Sequence, residues 1–104
     1  MIKLDKEIIL SLLKENKKQI QKFGVLKIGL FGSYIRNEST DESDIDFMVE
    51  FEEGKKNYDN FIKLAFYLEE LFQKEVDLLT IESLNPYIKP YILREVQYEA
   101  IKEL

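Results

Sequence analysis

Gly32-Ser33-Tyr34-Ile35-Arg36 and, after six further residues, Ser43-Asp44-Ile45-Asp46-Phe47 carry most of what this chain discloses about itself. Upstream lies Val25 to Phe31, Val-Leu-Lys-Ile-Gly-Leu-Phe, which reads as a largely buried strand. Gly32-Ser33 ends it, and Ser33 suits the N-cap of a short helix through Tyr34, Ile35 and Arg36. Asn37 to Glu42 is polar and reads as a loop. Ser43 to Phe51 is a second strand with strong alternation: Ile45, Phe47, Val49 and Phe51 face one way, Asp44, Asp46, Met48 and Glu50 the other. Ten residues separate Ser33 from Asp44, enough for a short helix and loop to return the chain beside the first strand.

Outward from this centre the apolar spacing predicts helices. Asp5 to Phe23 places Ile8, Ile9, Leu12, Leu13, Ile20 and Phe23 on one face, with Asp5 as cap and Gly24 as stop. Glu52 to Asp59 is a turn around Gly54. Asn60 to Phe72 carries an apolar stripe of Phe61, Leu64, Ala65, Leu68, Leu71 and Phe72. Glu75 to Ile81 reads as a third strand, with Val76, Leu78 and Thr80 on one face and Asp77 and Leu79 on the other. A last helix begins near Pro90 and runs through Tyr91, Leu93, Arg94 and Val96. The order α-β-α-β-α-β-α predicts an α/β (α+β) fold, one small mixed β-sheet flanked by helices, as a single domain over residues 1–104.

Composition narrows the chemistry. The chain has 104 residues, 15 Lys and Arg against 20 Asp and Glu, a net charge of −5, and neither Cys nor His. Disulfides, thiolate zinc sites and cysteine nucleophiles are excluded, as are histidine bases and ligands. Any metal must be held by oxygen, which favours Mg²⁺, Mn²⁺ or Ca²⁺. The negative balance argues against direct nucleic-acid binding. No apolar run approaches the roughly 20 residues that span a bilayer, and Met1 to Asp5 lacks a signal-peptide pattern. The expected compartment is the cytoplasm, with no membrane association.

Asp44 and Asp46 share a strand face with Cα atoms about 6.6 Å apart. Two such carboxylates can jointly hold cations in the paired-metal geometry of in-line phosphoryl displacement. The alternative is an acidic, solvent-exposed strand face. Gly32-Ser33, where a strand turns into a helix, makes an anion site of backbone N–H groups; the alternative is an ordinary turn with a capping serine. Arg36, about one helical turn past Ser33, reaches phosphates or braces the loop, or else pairs with Glu38, Asp41 or Glu42. The tail tyrosines Tyr87, Tyr91 and Tyr98 belong either to the core or to an interface.

Gly32-Ser33, ten residues, then Asp44-x-Asp46 resembles the signature of the polymerase-β-type nucleotidyltransferase superfamily. The fuller runs, with Lys74-Glu75-Val76-Asp77-Leu78-Leu79-Thr80 and the Pro86 to Glu95 tail, are similar to the minimal nucleotidyltransferases (MNT), often the antitoxin half of HEPN–MNT toxin–antitoxin pairs. The resemblance implies the polymerase-β-type nucleotidyltransferase fold, with a nucleotide triphosphate seated on Gly32 and Ser33 and with Arg36 and Ser43 at the nucleotide. It implies two Mg²⁺ held by Asp44, Asp46 and Asp77, the last activating the attacking hydroxyl. Asp77 suits that role by interrupting an apolar strand at a position otherwise facing the core, where an unpaired carboxylate is costly; a salt bridge is the alternative. The expected activity is AMP transfer from ATP to a tyrosine of a cognate HEPN ribonuclease toxin, in a hetero-oligomer. The rival expectations are a non-catalytic module that masks the toxin by binding, and a transferase acting on a small molecule or nucleic acid. Ile35 and Asn37 stand where related sequences often carry small residues; Asn tolerates the left-handed backbone region, and Ile35 is expected to pack inward.

Overall fold

The computed structural model describes residues 3–102. The single-domain expectation over 1–104 therefore includes four terminal residues outside the described ones.

The first helical stretch forms two helices, α1 (Lys6–Glu15) and α2 (Lys17–Gln21). Asp5 caps α1 by accepting from the Ile8 N–H at 2.9 Å. The predicted continuous helix breaks at Asn16. There both the backbone N–H and the side-chain amide donate to the Leu12 carbonyl, at 3.1 and 2.8 Å. An asparagine side chain that competes for helix carbonyls is a known helix disruptor. The phase of the apolar stripe survives, so Ile9, Leu13 and Ile20 all reach the core. Gly24, at φ +79°, turns the chain into the sheet.

Strands β1 (Val25–Phe31), β2 (Ile45–Phe51), β3 (Val76–Thr80) and β4 (Gln97–Ala100) form one mixed sheet in the order β3-β2-β1-β4. β1 runs antiparallel to β2 and β4, and β2 parallel to β3. Helix α3 (Tyr58–Phe72) makes the crossover between β2 and β3, and α4 (Lys89–Glu95) precedes β4. Asn57 caps α3 through the Asn60 N–H at 2.8 Å.

The main core lies between the sheet and α1, α2 and α3. It joins Ile9, Leu13, Leu64, Leu68 and Phe72 to Ile28, Leu30, Ile45, Phe47 and Val49. A smaller cluster on the opposite face packs Phe31 and Met48 against Leu84, with Ile92 of α4 and Val96 alongside. That second layer accounts for fully buried Met48 on what the alternation predicts to be the polar face of β2.

Three expectations are corrected. Gln97–Ala100, past the expected last helix, is a strand that the order α-β-α-β-α-β-α did not include, and it gives the sheet its fourth member. The run after Gly32 makes turns rather than a helix: the Arg36 N–H donates to Gly32 O, Asn37 to Tyr34 O and Glu38 to Ser33 O. Asn37 sits at φ +58°, a left-handed conformation that ends any helical continuation. Strand β2 starts at Ile45, so Asp44 lies just ahead of it. Ile35 packs inward as expected.

Candidate active site

β1 ends at the edge of the sheet where β2 and β3 begin, and this sets the site. The antiparallel register pairs Phe31 with Asp46, so Gly32 follows directly beside the Asp46 side chain. Gly32 has φ +78°, and a Cβ there would stand inside contact distance of Asp46 Oδ2. Only glycine fits, both for its backbone and for the space. The parallel register pairs Asp46 with Asp77. Asp44 lies two residues before Asp46, at the mouth of the same edge.

Asp46 is half-buried, whereas Asp44 and Asp77 are exposed. Burial pushes the Asp46 carboxyl from its ordinary 3.8 up to about 6, and the negative charges of Asp77 and Asp44 push the same way. Arg36 opposes this and Glu95 adds to it. The sequence expectation of a core-facing Asp77 is corrected. On β3 it alternates with buried Leu78 and Thr80, and so projects to solvent.

Among the described residues no three acidic side chains are gathered closely enough to hold a metal ion as they stand. Three like charges without a counter-ion repel, and the raised Asp46 pKa records that repulsion together with burial. The donors are all carboxylate oxygens, the set a hard divalent cation takes, and a cation would relieve the charge that burdens Asp46. In donor chemistry, though not in their present spacing, the residues suit such an ion.

The loop after Gly32 offers donors. Among the described residues, the N–H groups of Ser33, Tyr34 and Ile35 have no hydrogen-bond acceptor, nor does the Ser33 hydroxyl have a partner. Successive open N–H groups in a turn make an anion-binding concavity.

Arg36 is already engaged. Its Nε donates to Glu38 Oε1 at 2.8 Å, and its Nη1 to both Glu95 oxygens at 3.0 Å. Of the pairings open from sequence, that with Glu38 forms and those with Asp41 and Glu42 do not. Ser43 closes the loop ahead of β2: its Oγ accepts from the Thr40 N–H at 2.9 Å. Lys74 straps the same loop by donating to the Asp41 carbonyl at 2.7 Å. Glu95 was not among the sequence-predicted site residues. Its contact to Gly32 spans 63 positions, and only the likeness of the Pro86 to Glu95 tail pointed to that region.

The tail tyrosines divide. Tyr98 is half-buried under Lys27, whose Nζ lies 4.3 Å from the ring centroid. Tyr87 and Tyr91 are exposed, beside exposed Ile88. No helix among the described residues is long and apolar enough to cross a membrane.

The nucleotidyltransferase domain profile matches residues 9–99. The chain is 44% identical over 99 residues to the protein adenylyltransferase MntA of Thermococcus cleftensis, covering 94% of this chain and 99% of that one. A solved minimal nucleotidyltransferase superposes with a TM-score of 0.77 at 29% identity, covering 90% of this chain and 95% of that one. A mutant toxin–antitoxin complex of MntA and HpeT gives a TM-score of 0.61 at 25% identity, covering 93% of this chain and 72% of the solved one. With the predicted fold and this match over nearly its whole length, the chain belongs to the nucleotidyltransferase domain family.

Proposed function

We propose that the protein is a protein adenylyltransferase antitoxin that transfers AMP from ATP to a tyrosine of a cognate HEPN toxin and so silences it. The observation that carries this reading is the register pairing of Asp46 with Asp77 beside Gly32, which assembles acidic side chains and open N–H donors at one sheet edge. The adenylyltransferase name of its relative supports the activity, and the MntA–HpeT complex supports a toxin as partner.

In this reading Asp44, Asp46 and Asp77 hold two Mg²⁺, which when bound neutralise charge on the phosphate oxygens. The Ser33 hydroxyl and the N–H groups of Ser33, Tyr34 and Ile35 seat the triphosphate, and Gly32 lets it approach the backbone. Arg36 braces the loop through its carboxylate partners, and Ser43 orients the turn that delivers Asp44. Asp77 accepts the proton of the acceptor hydroxyl. The hydroxyl oxygen then bonds to the α-phosphorus, and the bond to pyrophosphate breaks. The exposure of Asp77 suits a base that must meet a side chain presented from another molecule. The acceptor site is completed by the partner in a hetero-oligomer, working in the cytoplasm without nucleic acid or membrane.

The rival reading is a non-catalytic antitoxin that masks its toxin. One observation favours it: exposed Tyr87, Ile88 and Tyr91 offer a binding surface that needs no chemistry. Incubating the chain with ATP, Mg²⁺ and the HEPN protein encoded beside it, then weighing that protein, tests both. AMP addition that disappears in Asp44→Asn and Asp46→Asn supports transfer. Full protection by those variants supports masking and ends the transferase reading.

A further inference from the structure

Gly32 and Arg36 share one acceptor, delivered from the far end of the chain. Glu95 Oε1 accepts from the Gly32 N–H at 3.1 Å and from Arg36 Nη1 at 3.0 Å, and Oε2 accepts from the same nitrogen at 3.0 Å. Glu95 is the last residue of α4, and β4, which begins just after Val96, pairs with Lys27 to Leu30 of β1. The carboxylate therefore rides on backbone fastened to the strand that runs into the Gly32 loop. Glu38 holds the other side of the Arg36 guanidinium, which is thus fixed between two carboxylates. The proposed chemistry has no use for Glu95, and its negative charge adds to the load on Asp46.

We propose that Glu95 is a positioning residue for the nucleotide loop, a proposal that rests on the nucleotidyltransferase reading of the site. It holds the Gly32 peptide and the Arg36 side chain in place so that the next three N–H groups stay open to phosphate. The division of donors argues for this. Glu95 takes only the first N–H of the run and leaves Ser33, Tyr34 and Ile35 without acceptors among the described residues. A carboxylate acting as a plug would take the donors the ligand needs. The Arg36 pair also offsets its charge, which limits repulsion of an incoming triphosphate.

Glu95→Ala and Glu95→Gln in the full chain test the proposal. Glutamine keeps an acceptor for Gly32 and loses the charge. The first readout is amide hydrogen exchange. In Glu95→Ala the Gly32 N–H is expected to exchange about tenfold faster, with Ile28 and Leu30 unchanged, and Glu95→Gln to restore protection. The second is titration with MgATP, with affinity expected to fall about tenfold in the alanine variant and less in the glutamine one. Unchanged exchange at Gly32, or tighter MgATP binding by both variants, overturns the proposal. If wild type does not bind MgATP but Gly32 still loses protection in Glu95→Ala, the nucleotide reading fails while the hold of Glu95 on the loop stands.

Discussion

Asp46 and Asp77 stand opposite each other as register partners on the parallel strands β2 and β3, one half-buried and the other open to solvent. Their difference in burial gives the pair its chemistry. Asp46 carries the desolvation and titrates near 6, while Asp77 stays accessible from outside.

Stability should follow that titration. Asp46 binds its proton more tightly in the folded state than in the unfolded one, so its contribution favours folding below about pH 4 and is lost as pH rises to about 6. The displacement from 3.8 to about 6 corresponds to about 3 kcal/mol at most. Partial exposure and salt reduce it to about 1 kcal/mol. Asp46→Asn in metal-free buffer is therefore expected to raise the melting temperature at pH 8 by ~5 °C and to give no gain at pH 4. Thermal melts of both proteins across that range check it.

Metal and activity should depend on the same proton. In the proposed reading Mg²⁺ would compete with it for Asp46, so AMP transfer is expected to decline below about pH 6 and to stop on chelation. Mg²⁺ should also raise the melting temperature of wild type at pH 8 and leave Asp46→Asn unmoved. A pH–rate profile and melts with and without Mg²⁺ measure this.

The elements with strong periodicity were legible in the sequence: β1, β2, β3 and α3 come within two residues of the expected bounds. β4 was not. Gln97–Ala100 offers four residues with one large apolar side chain, and what makes it a strand is the free edge of β1 rather than its own pattern. The break at Asn16 escaped because apolar spacing reports which face is buried, not whether the backbone is continuous. The Gly32, Asp44 and Asp46 cluster was readable because a short return between neighbouring strands brings the two segments to one edge. The exposure of Asp77 follows from its edge strand, whose alternation sends it opposite to Leu78 and Thr80. Glu95 reaches the site across most of the chain, and no local pattern encodes that.

Gly32 and Gly54 form a matched pair for testing the close approach at Asp46. Both have φ +78°, but a Cβ at Gly54 meets nothing within 4 Å. Gly54→Ala is expected to cost about 1 kcal/mol, the backbone strain alone, and to leave activity intact. Gly32→Ala adds a collision with the Asp46 carboxylate and should cost about 3 kcal/mol and abolish AMP transfer. Urea unfolding gives the first comparison and the transfer assay the second.

The exposed aromatic side chains lie on two different faces, and they predict where the partner docks. Tyr87, Ile88 and Tyr91 are 85%, 49% and 68% exposed at and before the start of α4, whereas Phe66, 65% exposed, stands on α3. α4 packs on the sheet face opposite to α3 and is the helix whose last residue, Glu95, contacts the Gly32 loop. A partner seated there would present its acceptor near the carboxylates, which α3 would not allow as directly. Tyr87→Ala and Tyr91→Ala should therefore leave stability within about 0.5 kcal/mol of wild type and weaken partner binding at least about tenfold. Phe66→Ala should do neither. Because the nucleotide loop is untouched, MgATP affinity should stay constant while the partner concentration for half-maximal transfer rises. Equal losses from Phe66→Ala, or binding unaffected by both tyrosine variants, would move the docking face away from α4.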